Sequence, residues 1–107
     1  MIGGFIVANA PVKAVVIAVG PSLLAFGISN ALPDTTLEVR NQDGSFVMQN
    51  DNWKSDQEQE LESAGLHPSH DLEAAIITTL PPGQYTALVR GKGDASGIGV
   101  VQVFFLQ

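Results

Sequence analysis

The chain reads as an all-β domain, an antiparallel β-sandwich of the jelly-roll kind. Three observations predict it. Charged residues make up only 15% of the 107 residues and apolar ones 45%, a balance that few helix-rich soluble domains show. Eleven glycines and six prolines cut the chain into short apolar runs. Several of those runs alternate apolar and polar residues, the period of two that a half-buried strand requires. The length suits one domain, residues 1–107, with a core of its own.

The elements follow in order. "GGFIVANAPVKAVVIAVGP" predicts strands over 4–8 and 13–19 around an Asn-Ala-Pro turn. The second is apolar on both faces, so it must be covered on both, by core and by a loop or partner. "PSLLAFGIS" predicts one short helical turn, starting at Pro21 and ending at Gly27, or a compact loop, with Leu23, Leu24 and Phe26 covering a sheet face. "TTLEVRNQDGSFVMQN" predicts a hairpin with a two-residue type I′ turn at Asp43-Gly44. That register sets Arg40 opposite Val47 and Val39 opposite Met48. It puts Leu37, Val39, Phe46 and Met48 on the core face.

"QNDNWKSDQEQELES" follows, with five of the eleven acids and the only tryptophan. Ser55 and Glu58 form a capping box, which predicts a helix over about 56–64. Gly65 and Leu66 suit a Schellman end, with Leu66 packing back on Leu61. "DLEAAIITTL" predicts a strand with Leu72, Ala74, Ile76, Thr78 and Leu80 on one face. "PPGQ" predicts a type II turn. "YTALVR" and "IGVVQVFFL" are the last strands, joined by the Gly-rich "GKGDASG". The total is about seven strands and one short helix, which makes a sandwich. Both ends fall inside strands, as expected of a module that belongs to a longer protein.

Composition narrows function. A net charge of −6 with five scattered basic residues argues against nucleic acid as a partner. No apolar run reaches the ~18 residues of a membrane span, so no membrane insertion is expected. The first residues lack the positive region of a signal peptide. The absence of cysteine excludes disulfides, thiolate metal sites and a cysteine nucleophile. "GPSLL" lacks the second glycine of a nucleophile elbow. "GKGDASG" has Ser96 where a dinucleotide fingerprint needs its third glycine, and it precedes a strand. No catalytic residue is expected.

Two segments carry a resemblance. "DTTLEVRNQDGSFVMQNDNW" and "LPPGQYTALVRGKGDASGIGVVQVF", within residues 34–53 and 80–105, resemble the halves of bacterial pre-peptidase C-terminal (PPC) β-sandwich domains. Over nearly the whole chain, "MIGGFIV", "GPSLLAFGISNALPDTTLE", "NDNW", "DLEAAI" and "LPPGQYTALVRGKG" are similar to an uncharacterised repeat module of large secreted bacterial proteins. The resemblance implies a non-catalytic module outside the cell or at its surface. Such domains serve substrate binding, secretion or attachment, some with calcium. The contact surfaces expected of such a module here are the 49–53 and 91–97 loops.

Four sets of residues are candidates for a site. Asp43, Asn50, Asp51, Asn52 and Asp56 offer the oxygen atoms that calcium takes, although turn chemistry accounts for Asp43 and the helix dipole for Asp56. Calcium is the only cofactor they suggest, and none is required. Trp53 and Tyr85, with Asn50 and Asp51, could bind a glycan by stacking and hydrogen bonds. The reading preferred for Trp53 packs it between helix and sheet, because the helix otherwise offers the core only Leu61, Ala64 and Leu66. His67, His70, Asp71 and Glu73 hold the donor types of a zinc site, but "HPSH" reads better as a solvated connector. Finally, Ile2, Phe5, Val7, Val101, Val103, Phe105 and Leu106 lie near apolar terminal strands. As sheet edges these would join a neighbouring module, or a second copy in a homo-oligomer or fibre.

Overall fold

A computed structural model describes residues 2–94 and 97–106, and only the backbone of Asp94. The described residues form seven strands: β1 (Ile2–Val7), β2 (Val12–Val19), β3 (Thr35–Asn41), β4 (Phe46–Asn50), β5 (Ala74–Leu80), β6 (Gly83–Gly91) and β7 (Val100–Leu106). One α-helix, α1, spans Glu58–Ala64. All strand pairs are antiparallel, in a four-stranded sheet ordered β1-β6-β3-β4 and a three-stranded sheet ordered β5-β2-β7. The chain is therefore an all-β sandwich with one short helix. Among the described residues no helix is long and apolar enough to cross a membrane.

The two-sided apolar strand explains the layering. Ala14, Val16 and Ala18 of β2 face the main core with Leu37, Val39, Ile76, Tyr85 and Val89. Val15 and Ile17 face the other way, into a second cluster with Ala75, Ile77, Trp53 and Leu61. The four-stranded sheet covers one face of β2, and α1 with its lead-in covers the other. The molecule thus has three layers.

The local signals hold at several points. Pro21–Phe26 form a 3-10 helix that Gly27 ends at φ 83°. Only Leu23 of its large residues turns inward, whereas Leu24 and Phe26 are exposed and are not part of the core. Helix α1 ends as expected, with Gly65 at φ 70°, its N–H on the Glu62 carbonyl and the Leu66 N–H on Leu61. Its start differs. The capping box does not form, because the Ser55 hydroxyl donates to the Asn52 carbonyl within a separate 3-10 turn at Trp53–Ser55. Gln57 takes the cap position, and its side chain is bound to β5 instead.

The hairpin turn is one residue longer than the Asp-Gly pair predicts. The Gly44 N–H donates to the Asn41 carbonyl, and Asn41 Oδ1 accepts from Asp43 and Ser45. Gly44 sits at φ 81°, as a three-residue loop closed by a glycine bulge requires. Val39 still opposes Met48, but Arg40 opposes Phe46, with an irregularity between. Phe46 is consequently exposed and not in the core. The "PPGQ" corner is likewise no type II turn: β6 begins at Gly83, which pairs with Val7 at φ 157°, and the Tyr85 hydroxyl ties the corner by donating to the Pro81 carbonyl. Leu72 precedes β5 and is exposed, so the apolar face of that strand starts at Ala74.

Leu61 is fully buried and is the main apolar anchor of α1. Leu61→Ala is expected to cost about 2–5 kcal/mol, read as a lower urea midpoint with the slope retained.

Candidate functional site

The acidic, tryptophan-bearing stretch closes the outer edge of β5. Its side-chain amides do what a further strand would. Asn50 Oδ1 accepts the Ala75 N–H at 3.0 Å. Gln57 bonds both ways to Ile77, accepting from its N–H at 3.0 Å and donating to its carbonyl at 2.7 Å. The Trp53 N–H donates to the Glu73 carbonyl just before the strand. Thr35 Oγ1 accepts the Ala74 N–H and donates to the Ala18 carbonyl, which fastens the two sheets together.

Trp53 is 4% exposed and lies in the cluster beneath α1. The His67 ring stacks over it at 4.8 Å with the planes 9° apart, and Lys54 stands 5.5 Å from its centre. The fold uses Trp53 in the preferred packing role, and almost none of the ring is open to a sugar. Tyr85 is buried in the main core, on the other face of the three-stranded sheet. Trp53 and Tyr85 therefore do not share a surface.

Of the five oxygen donors, two bond each other, one pairs with a lysine outside the set, and Asn52 Oδ1 has no donor. Asp43 sits in the β3–β4 turn, with its own N–H on Asn41. The Asn50 amide donates to Asp56 Oδ2 at 3.0 Å. Asp51 pairs with Lys92 at 2.8 Å, a contact that also raises the Lys92 pKa. Asp34, which the sequence did not single out, meets Asp51. Its carboxyl is held above the ordinary value of 3.8 by burial first and by the Asp51 charge second, while Lys92 and His70 pull it down. Asp34 Oδ1, Asp51 Oδ1 and Asn52 Oδ1 are buried without a donor. Among the described residues no group of three or more His, Cys, Asp or Glu side chains is placed to hold a metal ion.

The same holds for the four zinc donors. His67 lies on Trp53, and His70 Nδ1 accepts the Leu72 N–H at 3.1 Å. Asp71 pairs with Lys54 at 3.1 Å, which raises the Lys54 pKa. Glu73 turns inward and is 1% exposed. Its Oε2 accepts the N–H groups of Gly20 and Ser22 at 2.8 and 2.9 Å, and its Oε1 accepts the Ser22 hydroxyl at 2.8 Å. This carboxylate satisfies the donors at the start of the 3-10 helix, a role that one sequence does not announce. The only hint was an acid inside the apolar run "LEAAII".

Two surfaces bear on the expected contacts. A shallow cleft of about 380 Å³ crosses the outer face of the four-stranded sheet, between Thr36, Glu38, Leu88, Arg90, Lys92 and the 49–56 segment. It contains Asp51 of the 49–53 loop. Of the 91–97 loop, residues 95 and 96 lie outside the described residues. The second surface is the seam where β1 and β7 lie side by side. Phe5 stacks on Tyr85 at 5.5 Å and meets Phe105 at 6.2 Å. Val101 and Val103 are half-buried against the core, and Phe105 is 48% exposed. Val7 is buried, so it belongs to the core and not to the seam. Ile2 and Ile6 of β1 are exposed beside it.

Compared with known proteins, the chain matches no family model, no curated protein and no solved structure.

Two outcomes test the Glu73 and Asp34 carboxyls. Glu73→Ala strands the Gly20 and Ser22 donors, and is expected to cost about 3 kcal/mol in urea unfolding, with Glu73→Gln recovering part. For Asp34 the folded-state pKa is raised, so its contribution to stability is full below its ordinary value and lost as pH rises through the raised one. Asp34→Asn should therefore melt higher than the parent at neutral pH. The difference should vanish near ~pH 3, where both side chains are neutral.

Proposed function

We propose that this chain is a non-catalytic binding and assembly module of a larger secreted or cell-surface bacterial protein. The observation that carries this reading is the difference between the two sides of the sandwich. On one side, β5 is sealed by Asn50, Trp53 and Gln57. On the other, among the described residues, no hydrogen bond runs outward from β1 or β7. Neither strand carries a charge, a proline or any other guard against pairing. Ile2, Ile6 and Phe105 add apolar surface at 68%, 63% and 48% exposure. A domain that closes one edge with side-chain amides and leaves the opposite one bare and apolar is suited to lateral joining.

The resemblance of the quoted segments to secreted bacterial modules supports the setting. The joining partner is a neighbouring module of the same protein or a second copy. The reading needs no cofactor. The glycan reading loses its platform with Trp53 under His67.

Light scattering tests it. The expected mass at high concentration is at least twice the chain's 11.3 kDa. Phe105→Lys should return it to the monomer with unchanged circular dichroism, because that ring is half-exposed. A parent chain that stays monomeric at millimolar concentration would overturn the proposal.

A further inference from the structure

Resting on the assembly reading, the structure also indicates which edge joins, to what, and in which register. We propose that β7 pairs antiparallel with β7 of a second copy, about a two-fold axis at Val103. The two three-stranded sheets then become one continuous sheet, β5-β2-β7-β7-β2-β5.

The choice of β7 over β1 follows from composition. β7 is Val-Val-Gln-Val-Phe-Phe-Leu, made almost wholly of residues that favour strands. β1 holds Gly3 and Gly4 at its middle, and glycine weakens a strand. Gly3 is moreover tied to the sandwich: a Cβ there would stand 2.8 Å from Val101. β5 and β4 are unsuited, since β5 is sealed and Asn50 of β4 reaches across to it.

The choice of a second copy follows from charge. The chain carries −6 overall, so two copies repel over most of their surface. β1 and β7 contain none of the eleven acids and none of the five bases. This seam is where two acidic copies can meet without like charges facing each other. A partner recognised by its charge would find nothing there to pair with. An uncharged strand meeting its own copy about a two-fold axis is matched by construction.

The register follows from the pleat. Val101 and Val103 pack toward the main core, whereas Phe104 and Leu106 pack toward the helix layer. Residues directly opposite in a ladder share a face, so the paired numbers must sum to an even value. Full overlap of Val100–Leu106 then puts Val103 opposite itself, Val101 opposite Phe105 and Gln102 opposite Phe104. Phe105, now half-exposed beside Phe5, would be covered by the partner's Val101.

The chain has no cysteine among the described residues or elsewhere, so single cysteines can be placed along β7 without background. Under mild oxidation Val103→Cys should give disulfide-linked dimer at several-fold the yield of Gln102→Cys or Phe105→Cys. Random collision would favour the more exposed 102 and 105 instead, and a maximum at either overturns the register. A maximum in the equivalent scan of β1 overturns the choice of edge while leaving the assembly reading intact. A parent chain that light scattering shows to be monomeric overturns both. Amide hydrogen exchange on the unmodified protein gives an independent measure: on concentration, alternate β7 amides should slow at least tenfold while β1 amides do not. Unchanged β7 exchange in a dimer overturns the proposal.

Discussion

Strand β2 has no face to spare. Ala14, Val16 and Ala18 must be hidden on one side and Val15 and Ile17 on the other, and the remainder of the chain is arranged around that demand. A two-layer sandwich would leave the second set in water. At ~25 cal/mol per Å² of apolar surface, hiding those residues favours a third layer, and the chain supplies it with α1 and Trp53. The helix is only seven residues long and would not persist alone. It exists because β2 and β5 give Leu61, Ala64 and Leu66 somewhere to pack.

The third layer then creates a need for accurate positioning, which polar groups meet. Asn50, Gln57 and Thr35 hold β5 through bonds to its backbone, so the helix layer is bonded to the sheet as well as packed on it. Glu73 performs the corresponding task at the end of the sandwich by fixing Gly20 and Ser22. Gly20 admits no larger residue, since a Cβ would stand 2.6 Å from the Leu32 carbonyl. A buried carboxylate, a glycine and a short 3-10 helix therefore form one unit.

Local chemistry was legible in the sequence and distant chemistry was not. Gly27 and Gly65 ended their helices because the signals for those ends lie within a few residues. The seven strands were visible from alternation and turn residues. The start of α1 was misread because Gln57 answers to Ile77, twenty residues away, and not to Ser55. The hairpin was misread by one residue because the Asn41 side chain, and not Asp43-Gly44 alone, organises the turn. Glu73 was grouped with zinc donors because its partners are 51 and 53 residues away. Asp34 was passed over for the same reason, since nothing near it in sequence points to Asp51. Of the apolar terminal residues, Phe105 could be placed at a surface by pattern, but Val7 could not be told from core.

The single tryptophan gives the helix layer an optical signal of its own. Trp53 is sealed from water with its Nε1 unpartnered, which favours emission at short wavelength, and an imidazole lies flat against it. Tyr85 sits on the far side of the three-stranded sheet. The two chromophores therefore watch different layers, and their unfolding curves would separate wherever the helix layer lifts away before the sandwich comes apart.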